Sequence, residues 1–131
     1  MATALQVALL GITLAAILGT HALGITPERN WYNQFWWLDW ILHFAGGAWV
    51  ALMFTVSTRR ARPISIISFV FAAGFLWEVL EYYYNIPFFG VGEASFSDSL
   101  WILDTLIDLG LDVGAAVLVA VFVDRYTRDN V

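Results

Sequence analysis

Asp39 and His43, Glu78 and Glu81, and Asp104, Asp108 and Asp112 are the residues of this chain whose types and spacing could do chemistry. The first pair is four residues apart, the second three, and the aspartates follow at steps of four, so on helices each set lies along one stripe. One imidazole with several carboxylates is an oxygen-rich, single-nitrogen ligand set suited to Mn, Fe or Zn, and with fewer nitrogen contacts to Mg or Ca. The same acids could instead hold or relay protons through a hydrogen-bonded network.

The elements that must position them are membrane spans. Of 131 residues 60% are hydrophobic and 13% charged, and the mean hydropathy is +0.73, which excludes a soluble globule. Four apolar segments, at about 4–23, 36–56, 64–84 and 100–123, are each near the ~20 residues needed to cross the hydrocarbon core. They predict an all-α, four-transmembrane-helix bundle in a single domain over 1–131. No basic stretch precedes the first segment, and only Thr20-His21-Ala22 resembles a cleavage site, so it is expected to span rather than be removed. The net charge of −5 leaves no basic surface for nucleic acid. With no cysteine there is neither a disulfide framework nor a thiolate site.

Basic residues set orientation. All six are arginines, and five (Arg59, Arg60, Arg62, Arg125 and Arg128) fall in the second connector and the C-terminal tail. Both termini and the second loop are therefore expected to be cytoplasmic, with the first and third loops outside. Thr26, Pro27 and Glu28 read as the capped start of a short interfacial helix through Asn33, and 85–98 reads as the third connector. Trp31, Tyr32, Trp36, Trp37 and Trp40, with Tyr82 to Tyr84, Phe88, Phe89, Phe96 and Trp101, predict an aromatic belt at the outer interface.

This topology brings the chemistry together. His43, Glu78 and Asp108 fall roughly 10 Å below the outer helix ends, with Asp39, Glu81 and Asp104 in a shallower layer and Asp112 deeper. A charge near the bilayer centre costs ~2.5–3.5 kcal/mol on insertion scales, so these acids must face one another or water. No lysine or arginine within the spans neutralises them, so they take up protons or bind a cation. Gly46 and Gly47, Gly110 and Gly114, and Gly11, Ala15 and Gly19 permit close helix contact, packing within one bundle being preferred to a dimer face. His21 reads as a solvated interfacial histidine.

Three stretches carry a resemblance: Asp39 and His43 followed by Gly46-Gly47, then Trp77-Glu78 with Glu81, then Asp104, Asp108 and Asp112 with Gly114. Together they resemble a pattern in an uncharacterised family of small prokaryotic polytopic membrane proteins, and are more distantly similar to VanZ-like proteins, which are associated with glycopeptide resistance. VanZ-like proteins usually show Glu-x-x-Gln and an arginine where this chain has Glu81 and none, so no antibiotic-related role is carried over. The resemblance implies a shared polar membrane site at His43, Glu78, Glu81, Asp104 and Asp108, and a prokaryotic inner (cell) membrane as its location.

The reading is thus an integral membrane protein with an intramembrane metal site, the ligands being His43, Glu78, Glu81, Asp104 and Asp108 and the cofactor a divalent ion (Zn, Fe or Mn). It is compatible with an enzyme acting on a lipid-linked substrate, one carboxylate serving as base. The alternatives are a cation or proton carrier, with Asp112 extending the relay inward, and a structural subunit of a larger membrane assembly. Membrane lipid is the expected partner, and a homo-oligomer or larger membrane complex is left open.

Overall fold

The computed structural model describes residues 4–24, 35, 37–58, 61–88 and 99–128. These form four α-helices: α1 (Ala4–Gly24), α2 (Trp37–Ser57), α3 (Pro63–Phe88) and α4 (Ser99–Arg128), with no strand among the described residues. Three of them contain stretches long and apolar enough to cross a membrane, Trp37–Ser57, Pro63–Tyr83 and Ile102–Arg125; in α1 the apolar run is Ala8–Thr20. The expected interfacial helix at 26–33 lies outside the described residues, as do most of the aromatic belt's loop members. Of those that are described, Trp37, Trp40 and Tyr83 are exposed.

The third and fourth helices outrun the segments expected from membrane thickness. α3 continues to Phe88, through Asn85 and Pro87, and α4 has 30 residues. At ~1.5 Å per residue that is roughly 39 and 45 Å against a ~30 Å hydrocarbon core. A span sets the shortest useful helix, whereas the backbone stops only where hydrogen bonding and capping stop. The start of α3 shows such a signal: the Arg62 carbonyl accepts from the Ser65 and Ile66 amides at 2.9 and 3.1 Å, and Pro63 occupies the first helical position, where its missing N–H costs nothing.

α2 is the central element. It packs most extensively on α4, which also packs on α3, while α1 packs on α2 alone among the described residues. The Trp49 indole donates to the Leu10 carbonyl at 2.7 Å, fastening α1 to α2. A buried cluster of Ala51, Ile66, Val70, Ala116 and Ala120 ties α2, α3 and α4 together. Small side chains suit this role, because in lipid helix association comes from close van der Waals contact rather than from water exclusion. His43 and Asp108 lie toward the N-terminal ends of α2 and α4, Ala51 and Ala116 further along both. α2 and α4 therefore run in the same sense and α3 against them. Outside, large apolar side chains such as Phe122, Ile64 and Leu118 are exposed, as a lipid-facing surface requires.

At Gly47 the backbones of α2 and α4 approach closely. A Cβ there would lie 2.6 Å from the Asp112 Cα and 2.7 Å from its carbonyl oxygen. Gly11, Gly19, Gly46, Gly110 and Gly114 instead have nothing within 4 Å of such an atom. The expected packing role within the bundle thus falls on Gly47 and not on the other glycines of that expectation. Spacing identifies small-residue stripes but not the rotation that aims one of them at a neighbour.

Candidate metal centre

The imidazole of His43 is the hub of the site. Its Nε2 lies 3.8 Å from Asp39 Oδ1, 3.6 Å from Glu78 Oε1 and 4.0 Å from Asp108 Oδ2, while Nδ1 lies 3.5 Å from Asp112 Oδ2. His43, Glu78, Asp108 and Asp112 are all buried. α2 supplies Asp39 and His43 from successive turns, α3 supplies Glu78, and α4 supplies Asp108 and Asp112, again one turn apart. Three helices remote in sequence thus surround one ring.

None of the three carboxylates around Nε2 is at hydrogen-bonding distance, which for N–H···O is ~2.7–3.2 Å. Glu78 Oε1 and Asp108 Oδ1 are buried and without any hydrogen-bond partner. The other carboxylate oxygen of Glu78 is held by the Thr105 hydroxyl at 2.9 Å, so Thr105 fixes the carboxylate with one oxygen free. Ligand atoms bound at about 2.1 Å around one ion stand roughly 3.0–3.4 Å apart. The 3.6–4.0 Å spacings around Nε2 exceed that by between about 0.2 and 1 Å, so the side chains must close in on an ion to bind it. Two groups that share His43 could each hold an ion, Asp39 with His43 and Asp108, and His43 with Glu78 and Glu81, each set having one ligand atom per residue within 4.8 Å of the others.

The three depth layers expected from sequence collapse onto this one ring, and side-chain direction explains it. Cα–Cβ bonds tilt toward the helix N-terminus. On the opposed α3 this carries Glu81 down toward His43, whereas the Asp112 backbone stays level with Gly47, one turn below His43, and only its side chain reaches up to Nδ1. Asp104 behaves differently. It is exposed and falls outside both ligand groups among the described residues, while Asp39, expected only in the shallow layer, faces Nε2.

Asp112 is the contact that sequence reasoning set apart as a relay member. It sits in a niche made by two glycines: Gly47 of α2 faces its backbone, and an added Cβ at Gly74 of α3 would collide with its Oδ2. The carboxylate is thereby directed at Nδ1, leaving Nε2 to the other acids, an arrangement by which carboxylates commonly orient metal-ligating histidines. Gly74 was not among the expected packing glycines; the signal available was a glycine one helical turn before Glu78, on the same face. The side chain of His21 lies outside the described residues.

Beneath Asp112 the bundle closes with the apolar Ala51, Ile66, Val70, Ala116 and Ala120 cluster. Beside the site, a cavity of about 250 Å³ lies among α1, α2 and α3 and reaches His43, Asp39, Glu81 and Asp112.

No curated protein and no solved structure matches the chain. A family model does, over residues 2–129. With nearly the whole chain covered, and the apolar helices to agree with it, the protein belongs to the family described as Predicted membrane protein (DUF2238).

Proposed function

We propose that the protein is an intramembrane divalent-cation-binding protein, in which His43 and the carboxylates of Asp39 and Asp108 hold one ion, with Glu78 and Glu81 as the overlapping acid pair on the same ring. The observation that carries this reading is the pair of buried, unpartnered oxygens, Glu78 Oε1 and Asp108 Oδ1, beside a histidine nitrogen spaced just beyond hydrogen bonding from three acids. Orphaned buried acceptors are costly and call for a ligand. One nitrogen and several oxygens favour Mn, Fe or Zn. Asp112 orients the ring from its other side. Such an ion supplies a Lewis acid or an activated water, the chemistry an enzyme acting on a lipid-linked substrate would use. Asp104, exposed, takes no part in the proposed ligand set. The location proposed is a prokaryotic cell membrane with both termini cytoplasmic. The distant likeness to VanZ-like proteins, carried by these same residues, forms part of this proposal and not of the family assignment.

A proton or cation carrier is less well supported, because a relay through Asp112 would need polar groups deeper in the bundle, where the described core is apolar. Elemental analysis of detergent-purified protein, dialysed separately against Mn, Fe(II) and Zn, tests the reading. About one tightly held ion per chain is expected, lost in Asp108→Ala. Wild-type protein that retains none of the three overturns it and leaves the structural-subunit reading.

A further inference from the structure

The cavity beside the site is amphipathic in its lining. Asp39, His43, Glu81 and Asp112 border one part of it. Elsewhere its walls are apolar, with Leu14, Ile17 and Leu18 from α1, Val50 from α2 and Val70 from α3. Val50 is seven residues beyond His43 on α2, so the cavity extends about 10 Å along the helix from the polar residues. Its volume of about 250 Å³ corresponds to roughly eight groups of the size of a water or a methylene. Water is a poor occupant of the apolar part, since a cavity without polar partners stays dry. α1 packs on α2 and not on α3 among the described residues, which leaves the flank between α1 and α3 as a side approach. At the depth of these spans what lies beside a helix is hydrocarbon.

We propose that this cavity binds one hydrocarbon chain of a bilayer lipid that carries an oxyanion head, phosphate or carboxylate, with roughly five methylenes against Leu14, Val50 and Val70 and the remaining volume taken by the head at the ion beside His43. The inference rests on the cation reading: five acids without an ion offer an anionic head no partner, whereas a bound divalent ion with an open coordination position ligates an oxyanion directly, the acids that do not ligate the ion being protonated in the bilayer interior. It deepens that reading by naming the class of molecule the site receives, a single-chain anionic lipid entering sideways from the bilayer.

Gly46 provides the test. It lines the cavity, and an added Cβ meets nothing within 4 Å, so Gly46→Leu fills the space without moving the backbone; Ala73→Phe occupies it from α3. Full-length protein in phosphatidylcholine nanodiscs, loaded with the retained ion or stripped by chelator, is exposed to hexadecyl phosphate or hexadecanoic acid bearing a mid-chain diazirine. After photolysis, crosslinks are mapped by peptide and metal is measured on the same sample. Labelling on Leu14, Ile17, Val50 and Val70 is expected to exceed that on lipid-facing Phe71, Phe75 and Phe122 by about tenfold, as a modest preference over bulk lipid requires. It should fall by about the same factor on stripping and in both cavity-filling variants, with metal content unchanged in the variants. The probe that labels more strongly identifies the head. Even labelling inside and outside, or labelling indifferent to both variants while metal is retained, overturns the lipid site and leaves the metal centre standing. Cavity labelling indifferent to stripping overturns the oxyanion head. Failure of the wild type to retain metal overturns the cation reading and this inference with it.

Discussion

Adjacent glycines on α2 make opposite demands on the fold, and that pair offers the sharpest test of the packing described above. At Gly47 an added methyl would stand 2.6 Å from the Asp112 Cα, 2.7 Å from its carbonyl oxygen and 3.0 Å from its carbonyl carbon. Comfortable carbon contacts begin near 3.5 Å, and the obstacle is backbone, which no rotamer change removes. α2 and α4 must therefore part by about 1 Å along the most extensive helix contact in the molecule. Overpacking on this scale costs about 1–3 kcal/mol, and a rigid backbone obstacle places Gly47→Ala toward the upper end, about a hundredfold in the folding equilibrium. The same separation lengthens the 3.5 Å approach of Asp112 to His43 and the 4.0 Å approach of Asp108, so metal retention should fall too. Gly46→Ala, one residue earlier, meets nothing within 4 Å and should be neutral, or slightly stabilising through helix propensity. Reversible unfolding in bicelles, by steric trapping or SDS titration, reads both variants. Equal stability of Gly47→Ala and wild type, or equal damage from the two alanines, would refute the α2–α4 crossing.

Four other outcomes are expected. Asp108→Ala should abolish metal retention whereas Asp104→Ala, at an exposed position, should keep it, as measured by elemental analysis. Gly74→Ala, which pushes on Asp112 Oδ2, and Asp112→Asn, which weakens its hold on Nδ1, should each lower metal affinity about 10–100-fold while the protein stays folded, because both disturb ring orientation and not the ligands themselves. Acidification should release the ion: imidazole and carboxylates bind metal only when deprotonated, so affinity falls as pH falls, and the pH of half-release should move lower as metal concentration rises, followed by equilibrium dialysis. Cysteine at position 60 should react with impermeant reagents only from the cytoplasmic side, and at position 93 only from outside; the reverse pattern would invert the orientation drawn from the arginines.

Much of this was legible in the chain because a membrane restricts what a polar residue can do. Asp39, His43, Glu78 and Asp108 were identifiable by being ionisable within apolar segments, and the alternating direction of successive spans sufficed to put His43, Glu78 and Asp108 at one depth. The remainder depended on rotation and tilt. Periodicity puts Asp104, Asp108 and Asp112 on one stripe, yet ~100° per residue accumulates to ~400° over four positions, so the stripe drifts by about 40° each step. Asp108 and Asp112 consequently lie inside and Asp104 at the edge. The niche at Gly47 and Gly74 depends on two helices meeting a third at one residue, and no single-segment pattern encodes that.

A centre divided among three helices also bears on biogenesis. When α2 enters the bilayer, His43 has only Asp39 from its own helix. α3 brings Glu78 and Glu81, and α4 adds Asp108 and Asp112 last. Two unpartnered aspartates carry an insertion penalty of roughly 5–7 kcal/mol, and the groups that relieve it belong to helices made earlier. The final span therefore has reason to remain beside the insertion machinery until α2 can receive it, and a chain that loses His43, the ring that faces both aspartates, would be expected to fail first in retaining its last helix.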